Sequence, residues 1–364
     1  MKKIPYINLK AQHAELKDEL LSALGRVFKS ADFVLGGEVD KFEKAIALYC
    51  GTKYAIGVNS GTDALFLVLK AYGIGPGDEV ITAPNSFLAS ASVIAAVGAK
   101  PVFADIREDL NIDPAQIEKK ISKKTKAIMP VHLTGKPADM RPINELAKEY
   151  NLKVIEDAAQ AIGAEYNGNK TGSLGHAGCF STHPLKTLNA CGDGGFITTN
   201  DGNLFAALKQ FRNLGLKNRD ESDIWGYNSR LDTIQAAILN IKLKYLEKWI
   251  NARRNNAFYY INELKGLVNI PEDKNYEKSV YHTFVIQVEK RDDLKKHLEE
   301  KGIGTKVHYP IPIHLQRAAI SLGYKRGAFP ICEKAAMMIL SLPVYQGLKE
   351  QDLAYVVDKI KEFV

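Results

Sequence analysis

Between residues 54 and 200 the apolar positions fall into short β-rich runs, separated by longer stretches with apolar residues at every third or fourth place. The runs at 55–58, 79–83, 101–105, 127–133, 153–157, 178–183 and 195–199 predict seven strands. Helical spacing begins near residues 61, 87, 139 and 204. Alternating strands and helices predict an α/β fold, with a mainly parallel seven-stranded sheet sandwiched by helices.

Past residue 228 the pattern changes. Leu231, Ile234, Ala237, Ile238, Ile241, Tyr245 and Trp249 form one stripe, which predicts a single long amphipathic helix over 229–264. A strand at 283–288, a helix at 292–301, a loop at 306–314 and a final helix from about 350 follow, the pattern of a smaller α+β unit. A chain of 364 residues is long for one core and short for three. The division expected is a large domain over 1–245 and a small C-terminal domain over 246–364.

Composition narrows the class without naming a function. Apolar content of 46% and charged content of 25% are those of an ordinary globular protein, which argues against disorder and fibres. The net charge of +7 is spread along the chain with no basic arm, so a lysine-rich surface explains it better than nucleic-acid binding. Cys50, Cys179, Cys191 and Cys332 have neither metal-site spacing nor disulfide density, which fits a reducing, cytoplasmic setting. The start, Met1 to Pro5, carries no apolar leader segment, and no stretch is long enough to cross a bilayer. A soluble, unprocessed chain is the expectation.

Three segments carry candidate chemistry. At Ser60-Gly61-Thr62 a strand turns into a helix, where free N–H groups and hydroxyls suit either a phosphate or an ordinary helix cap. The strand 153–157 ends in Glu156 and Asp157, and ligand crevices in open α/β sheets lie beyond such strand ends. Asp157 and Gln160 should therefore face the crevice, whereas Glu156 reads better as part of a turn. Lys186 follows the strand 178–183 and precedes the glycine cluster 192–195. A lone loop lysine is usually solvated, but these apolar and glycine-rich surroundings predict a partly buried amine with a lowered pKa.

The order of these segments resembles the DegT/DnrJ/EryC1/StrS family of sugar aminotransferases, of the aspartate-aminotransferase fold. Besides Ser-Gly-Thr and Glu-Asp-Ala-Ala-Gln, the likeness rests on Ile7-Asn8-Leu9-Lys10, Gly36-Gly37-Glu38-Val39, Pro84-Asn85-Ser86-Phe87 and residues 131–140. It continues through Ser181-x-x-Pro184-x-Lys186, Gly192-Asp193-Gly194-Gly195, Gly226 to Asp232, and Val307-His308-Tyr309-Pro310. Thr182 stands where the family has an aromatic residue, and Thr187 where asparagine is common.

The resemblance implies pyridoxal 5'-phosphate held by Lys186 as a Schiff base, with Asp157 on the pyridine nitrogen. It implies Gln160 on the ring hydroxyl, Phe87 against the ring face, and Ser60, Gly61, Thr62 and Ser181 around the phosphate. Asn228 would reach that phosphate from a neighbouring subunit, making a homodimer the smallest competent unit. His183, His308, Tyr309 and His314 would meet the substrate, a nucleotide-linked keto sugar aminated at the expense of L-glutamate. No metal is expected, since these histidines lack acidic or cysteine companions at ligand spacing. Relatives that act as dehydratases carry histidine at the Lys186 position, and a sensing protein without turnover is the more distant alternative. A dinucleotide enzyme is excluded, because Gly73-Ile74-Gly75-Pro76-Gly77 precedes a strand instead of following one.

Overall fold

The computed structural model describes residues 2–364; Met1 lies outside the described residues. Three helices that the apolar pattern did not single out open the chain: α1 (Leu9–Glu15), α2 (Lys17–Ser30) and α3 (Gly37–Cys50). Then come β1 (Tyr54–Val58), α4 (Gly61–Ala71), β2 (Glu79–Thr82), α5 (Ala89–Ala96), β3 (Lys100–Phe103), α6 (Pro114–Glu118) and β4 (Thr125–Met129). They are followed by α7 (Met140–Glu149), β5 (Lys153–Asp157), β6 (Glu165–Tyr166), β7 (Asn169–Lys170), β8 (Ala177–Ser181), β9 (Gly195–Thr199) and α8 (Gly202–Phe211). The last part holds α9 (Thr233–Leu243), α10 (Leu246–Leu264), β10 (Glu277–Lys278), β11 (Phe284–Gln287), α11 (Arg291–Glu300), α12 (Pro330–Met338), β12 (Ile339–Leu342) and α13 (Glu350–Lys361).

Seven strands form the main sheet in the order β1-β9-β8-β5-β4-β2-β3, all parallel except β9, which runs against both of its neighbours. Central strands are buried on both faces, as helical cover requires. Because β9 is antiparallel to β1 and to β8, the carboxyl ends of β1, β5 and β8 point to one side of the sheet. Whatever follows those three ends must converge there.

Two expectations change. The long helix over 229–264 is two helices, α9 and α10. The break falls at Lys244 and Tyr245, where the N–H groups bond back three residues, to Ile241 and Lys242, and the turn tightens. The apolar stripe runs through unchanged, because one tight turn preserves the side that faces the core. The run 127–133 is not one strand either: β4 ends at Met129 and a short 3₁₀ turn occupies Leu133–Gly135.

The C-terminal part has its own core, in which Leu264, Phe284, Leu298, Leu340 and Val356 meet Ile4 from the other end of the chain. Ile4 bridges to Ile303, so the N-terminal segment lies on this unit before α1 begins. Among the described residues no helix is long and apolar enough to cross a membrane.

Glu156 has the turn role expected of it. Fully buried, it accepts from the N–H groups of Gly172 (2.7 Å), Leu174 (2.8 Å) and Gly175 (2.7 Å), and from His132 Nε2 at 2.9 Å. His132 Nδ1 accepts from Ala138 N, so it is Nε2 that donates to Glu156. Glu156→Ala would leave three N–H groups without an acceptor beside the strand end that bears Asp157. A loss of about 3–5 kcal/mol in unfolding free energy is expected, read as a lower urea midpoint at unchanged slope.

Candidate active site

The carboxyl ends of β1, β5 and β8 open into a cavity of about 440 Å³. At β1 the chain passes through Ser60, whose Oγ caps α4 by accepting from Asp63 N at 3.0 Å. The N–H groups of Gly61 and Thr62, in the first turn, have no intrahelical acceptor and face an anion's natural position. Close approach is enforced here by glycine. A methyl group on Gly61 would stand 2.6 Å from Ser181 Cβ, and one on Gly195 would stand 2.4 Å from the Ser60 carbonyl carbon. Only without those side chains do β8, β9 and the start of α4 meet.

Asp157 ends β5 and is 6% exposed. Its Oδ2 accepts from Ser90 Oγ at 2.7 Å and its Oδ1 from Ala159 N at 3.2 Å, which fixes the plane of the carboxylate. Lys186 lies in the loop after β8. That loop closes on itself, with Thr182 N donating to Gly194 O and Ala190 N to Thr182 O, so its apex is held over the strand ends. Although part of the Lys186 side chain opens on the cavity, its amine is enclosed. Burial pulls the amine's pKa down to about 8, against the opposing attraction of Asp157.

Gln160 is oriented by its neighbours: Oε1 accepts from Thr134 N at 2.8 Å, which turns the amide nitrogen toward Tyr309 Oη at 3.4 Å. Burial, and secondarily Asp157, raise the Tyr309 phenol to about 12, so it stays protonated. Phe87 is 57% exposed and stands 5.8 Å from the Tyr309 ring, forming one side of the opening. His308 is lowered to about 4 by burial and then by Lys186 and Lys306, and its Nδ1 contacts Ser341 Oγ at 2.9 Å. It is neutral at physiological pH.

Of the residues singled out in the sequence, Ser60, Gly61, Thr62, Phe87, Asp157, Gln160, Ser181, His183, Lys186, His308 and Tyr309 all line this cavity. Two do not. His314 is buried elsewhere, its ring against Phe329 at 4.7 Å and its Nε2 bonded to Glu333 at 3.0 Å. The carboxylate of Glu333 also gathers Gly327 N and Phe329 N, so His314 belongs to a loop anchor instead of a cavity wall. Asn228 is exposed on the surface, beside Arg230, and is absent from its own chain's cavity wall.

Four contributors were not singled out: Ser90, Tyr6, Arg253 and Thr283. One of them left a readable trace. Arg253 interrupts the apolar stripe of α10 at the spacing of Trp249, Ile250, Ala257 and Tyr260, a charge where the pattern demands a hydrophobe. Ser90 and Tyr6 carry no such mark.

Comparison with known proteins agrees along almost the full length. A model of the DegT/DnrJ/EryC1/StrS aminotransferase family matches residues 14–361. The chain is 48% identical over 365 residues to a pleiotropic regulatory protein of Geobacillus stearothermophilus, covering 99% of this chain and 98% of that one. It is 45% identical over 364 residues to the dTDP-3-amino-3,6-dideoxy-alpha-D-galactopyranose transaminase of Aneurinibacillus thermoaerophilus, covering 99% of each. The crystal structure of DesV from S. venezuelae, in complex with a ketimine intermediate, superposes with a TM-score of 0.98 at 40% identity, over 100% of this chain and 99% of that one. With the family model spanning nearly every element that builds the cavity, the chain belongs to the DegT/DnrJ/EryC1/StrS aminotransferase family.

Proposed function

We propose that the protein moves an amino group from an amino acid, L-glutamate foremost, onto the keto carbon of a nucleotide-linked sugar, using pyridoxal phosphate. The observation that carries this reading is the enclosed Lys186 amine, lowered to about 8 and set with Asp157 at the mouth of strands that also end in an anion cradle. At pH 7.5 such an amine is neutral in roughly a quarter of molecules, against about 0.1% for a solvated lysine. It is therefore ready both to attack a carbonyl and to carry a proton.

The cavity fits the cofactor at three points. Gly61 N, Thr62 N and the hydroxyls of Ser60 and Ser181 would hold its phosphate, helped by the positive end of α4. Asp157, immobilised by Ser90 and Ala159, would keep the ring nitrogen protonated. Gln160, with its oxygen already engaged, offers only N–H toward the ring hydroxyl. Phe87 would lie along the ring face.

Bound there, pyridoxal phosphate supplies an aldehyde that takes up nitrogen and a ring that withdraws electrons from the carbon losing a proton. Lys186 Nζ would hold that aldehyde, and as a free amine it would take the proton from the donor carbon and deliver it to the carbon that had carried the aldehyde oxygen. Tyr309 stays protonated and His308 neutral, so both meet an acceptor sugar as hydrogen-bonding groups without adding charge. His183 would join them at the sugar, and His314 would act through the anchor on Glu333.

Asn228 fits a role in a second copy's cavity, as part of a homodimer. The same loop carries Trp225 at 95% exposure and Leu214 at 50%, apolar surface of the kind covered in an assembly. A large domain over 1–245 and a small one over 246–364 also suit the turn between α9 and α10.

Addition of L-glutamate to the holoenzyme is expected to abolish the visible cofactor band and release one 2-oxoglutarate per site, and a keto sugar nucleotide should restore the band. Lys186→Ala should lower turnover by a factor on the order of 10³ or more. A band indifferent to every amino acid tested, or a Lys186→Ala variant of normal rate, would refute the reading.

The lowered amine has its own signature. Since only the neutral form attacks, the rate at which cofactor-free protein takes up pyridoxal phosphate should rise with pH around a midpoint near 8, and fall away on the acid side. Removing the attraction of Asp157, as in Asp157→Asn, should move that midpoint lower still. A midpoint near the ordinary lysine value would show that the amine is solvated.

A further inference from the structure

Arg253 presents a cation that the fold itself does not neutralise. It sits on the buried stripe of α10, is 3% exposed, and lines the cavity. Its Nη1 donates only to main-chain oxygens, at 3.4 Å to Tyr281 and 3.2 Å to His282, and among the described residues its Nε has no hydrogen-bond partner. Among the described residues no carboxylate acts on it; burial lowers its pKa to about 10, opposed only by Tyr6, so it remains charged at neutral pH. An unpaired buried charge costs several kcal/mol, and such costs are retained where a ligand offsets them.

The surroundings of Arg253 share the deficit. The Tyr6 hydroxyl, Thr283 Oγ1 and His282 Nδ1 are buried without hydrogen-bond partners on the same wall. Tyr6 approaches Ser341, but that hydroxyl is engaged by His308 Nδ1, and no bond of acceptable geometry results. Burial, then Lys186, Arg253 and His308, hold His282 far below its usual range, so it adds no charge of its own. This wall is a group of unsatisfied polar atoms, two of them hydroxyl donors, around a guanidinium fork. The phosphate of the cofactor does not account for it, because that anion is provided for at the start of α4.

We propose that Arg253, flanked by Tyr6 and Thr283, is the receptor for the α-carboxylate of the amino donor. The inference rests on the aminotransferase reading above and names the donor side of that same site. Chemistry favours this anion over the diphosphate of a sugar nucleotide. An α-carboxylate is bonded directly to the carbon that surrenders nitrogen, so its receptor must share one enclosed chamber with Lys186, as Arg253 does. A diphosphate is held away from the keto carbon by the width of a sugar ring, and belongs nearer the open side that Phe87 borders. A planar fork of donors also matches a carboxylate in two parallel bonds.

The test uses the holoenzyme with L-glutamate and L-isoglutamine, which differ only in that the α-carboxylate becomes an uncharged amide. Wild type should prefer glutamate by roughly 100-fold in the rate of cofactor conversion, and Arg253→Gln should reduce that preference to within about threefold. In parallel, calorimetric titration should show 2-oxoglutarate binding weakened at least about tenfold in the variant, with affinity for UDP and dTDP unchanged. Should Arg253→Gln fail to fold, Arg253→Lys and Tyr6→Phe carry the same expectation at about three- to tenfold. A preserved preference for glutamate in the variants overturns the assignment. So does a loss of nucleotide affinity with 2-oxoglutarate binding intact, which would give the guanidinium to the acceptor's diphosphate. If wild type converts no amino acid, the aminotransferase reading fails, and the titration still reports on Arg253.

Discussion

An ammonium group withdrawn from water, with one carboxylate to face it, is the constraint around which this molecule is arranged. Burial alone would drive the proton from Lys186, and Asp157 limits how far that goes, leaving the amine at about 8. The balance needs Asp157 to be held still. Ser90 from α5 and the main chain at Ala159 hold its two oxygens, while Glu156 ties the turn 172–175 behind the same strand end. Helix, strand and turn thus serve the placement of a single carboxyl group.

The second requirement is closeness of backbone. Gly61 and Gly195 let the start of α4 meet β8 and β9 with no side chain between, which leaves N–H groups and small hydroxyls as the only lining. Antiparallel β9 makes this possible, because it enters the sheet at Gly195 beside the carboxyl end of β1. In a wholly parallel sheet that glycine cluster would lie at the opposite edge. The exception in strand direction is what joins the loop bearing Lys186 to the anion cradle.

Most of the large sheet was legible because its strands are buried on both faces and read as uninterrupted apolar runs. The loop residues were legible for another reason: Ser60, Asp157 and Lys186 each follow a strand end, and strand ends are where open sheets expose ligands. Three things escaped. Helices α1, α2 and α3 were passed over although Asn8 caps α1 and Gly51 closes α3; between α1 and α2 the chain turns at Leu16, which makes no side-chain cap bond and leaves no mark in the sequence. The break between α9 and α10 leaves the apolar stripe intact, so periodicity could not reveal it. Tyr6 and His314 show why a motif fixes order without fixing direction: Tyr6 enters the cavity from a segment that pairs with the far unit, whereas His314 turns from the cavity to Glu333.

Charge decides what this chamber can accept. Lys186 and Arg253 bring two cations, His282 is kept neutral by burial and by both of them, His308 by burial and by Lys186 and Lys306, and Asp157 is the only buried acid among the lining residues. Ionising either histidine would add a third positive charge to an enclosed space, which is why their protons are lost so readily. A cavity so composed is completed by ligands that carry negative charge at separate ends, with neutral, hydrogen-bonding matter between. The proposed phosphate at the α4 end and carboxylate at the α10 end would satisfy that demand while leaving Lys186 between them, where its amine could exchange a proton with carbon.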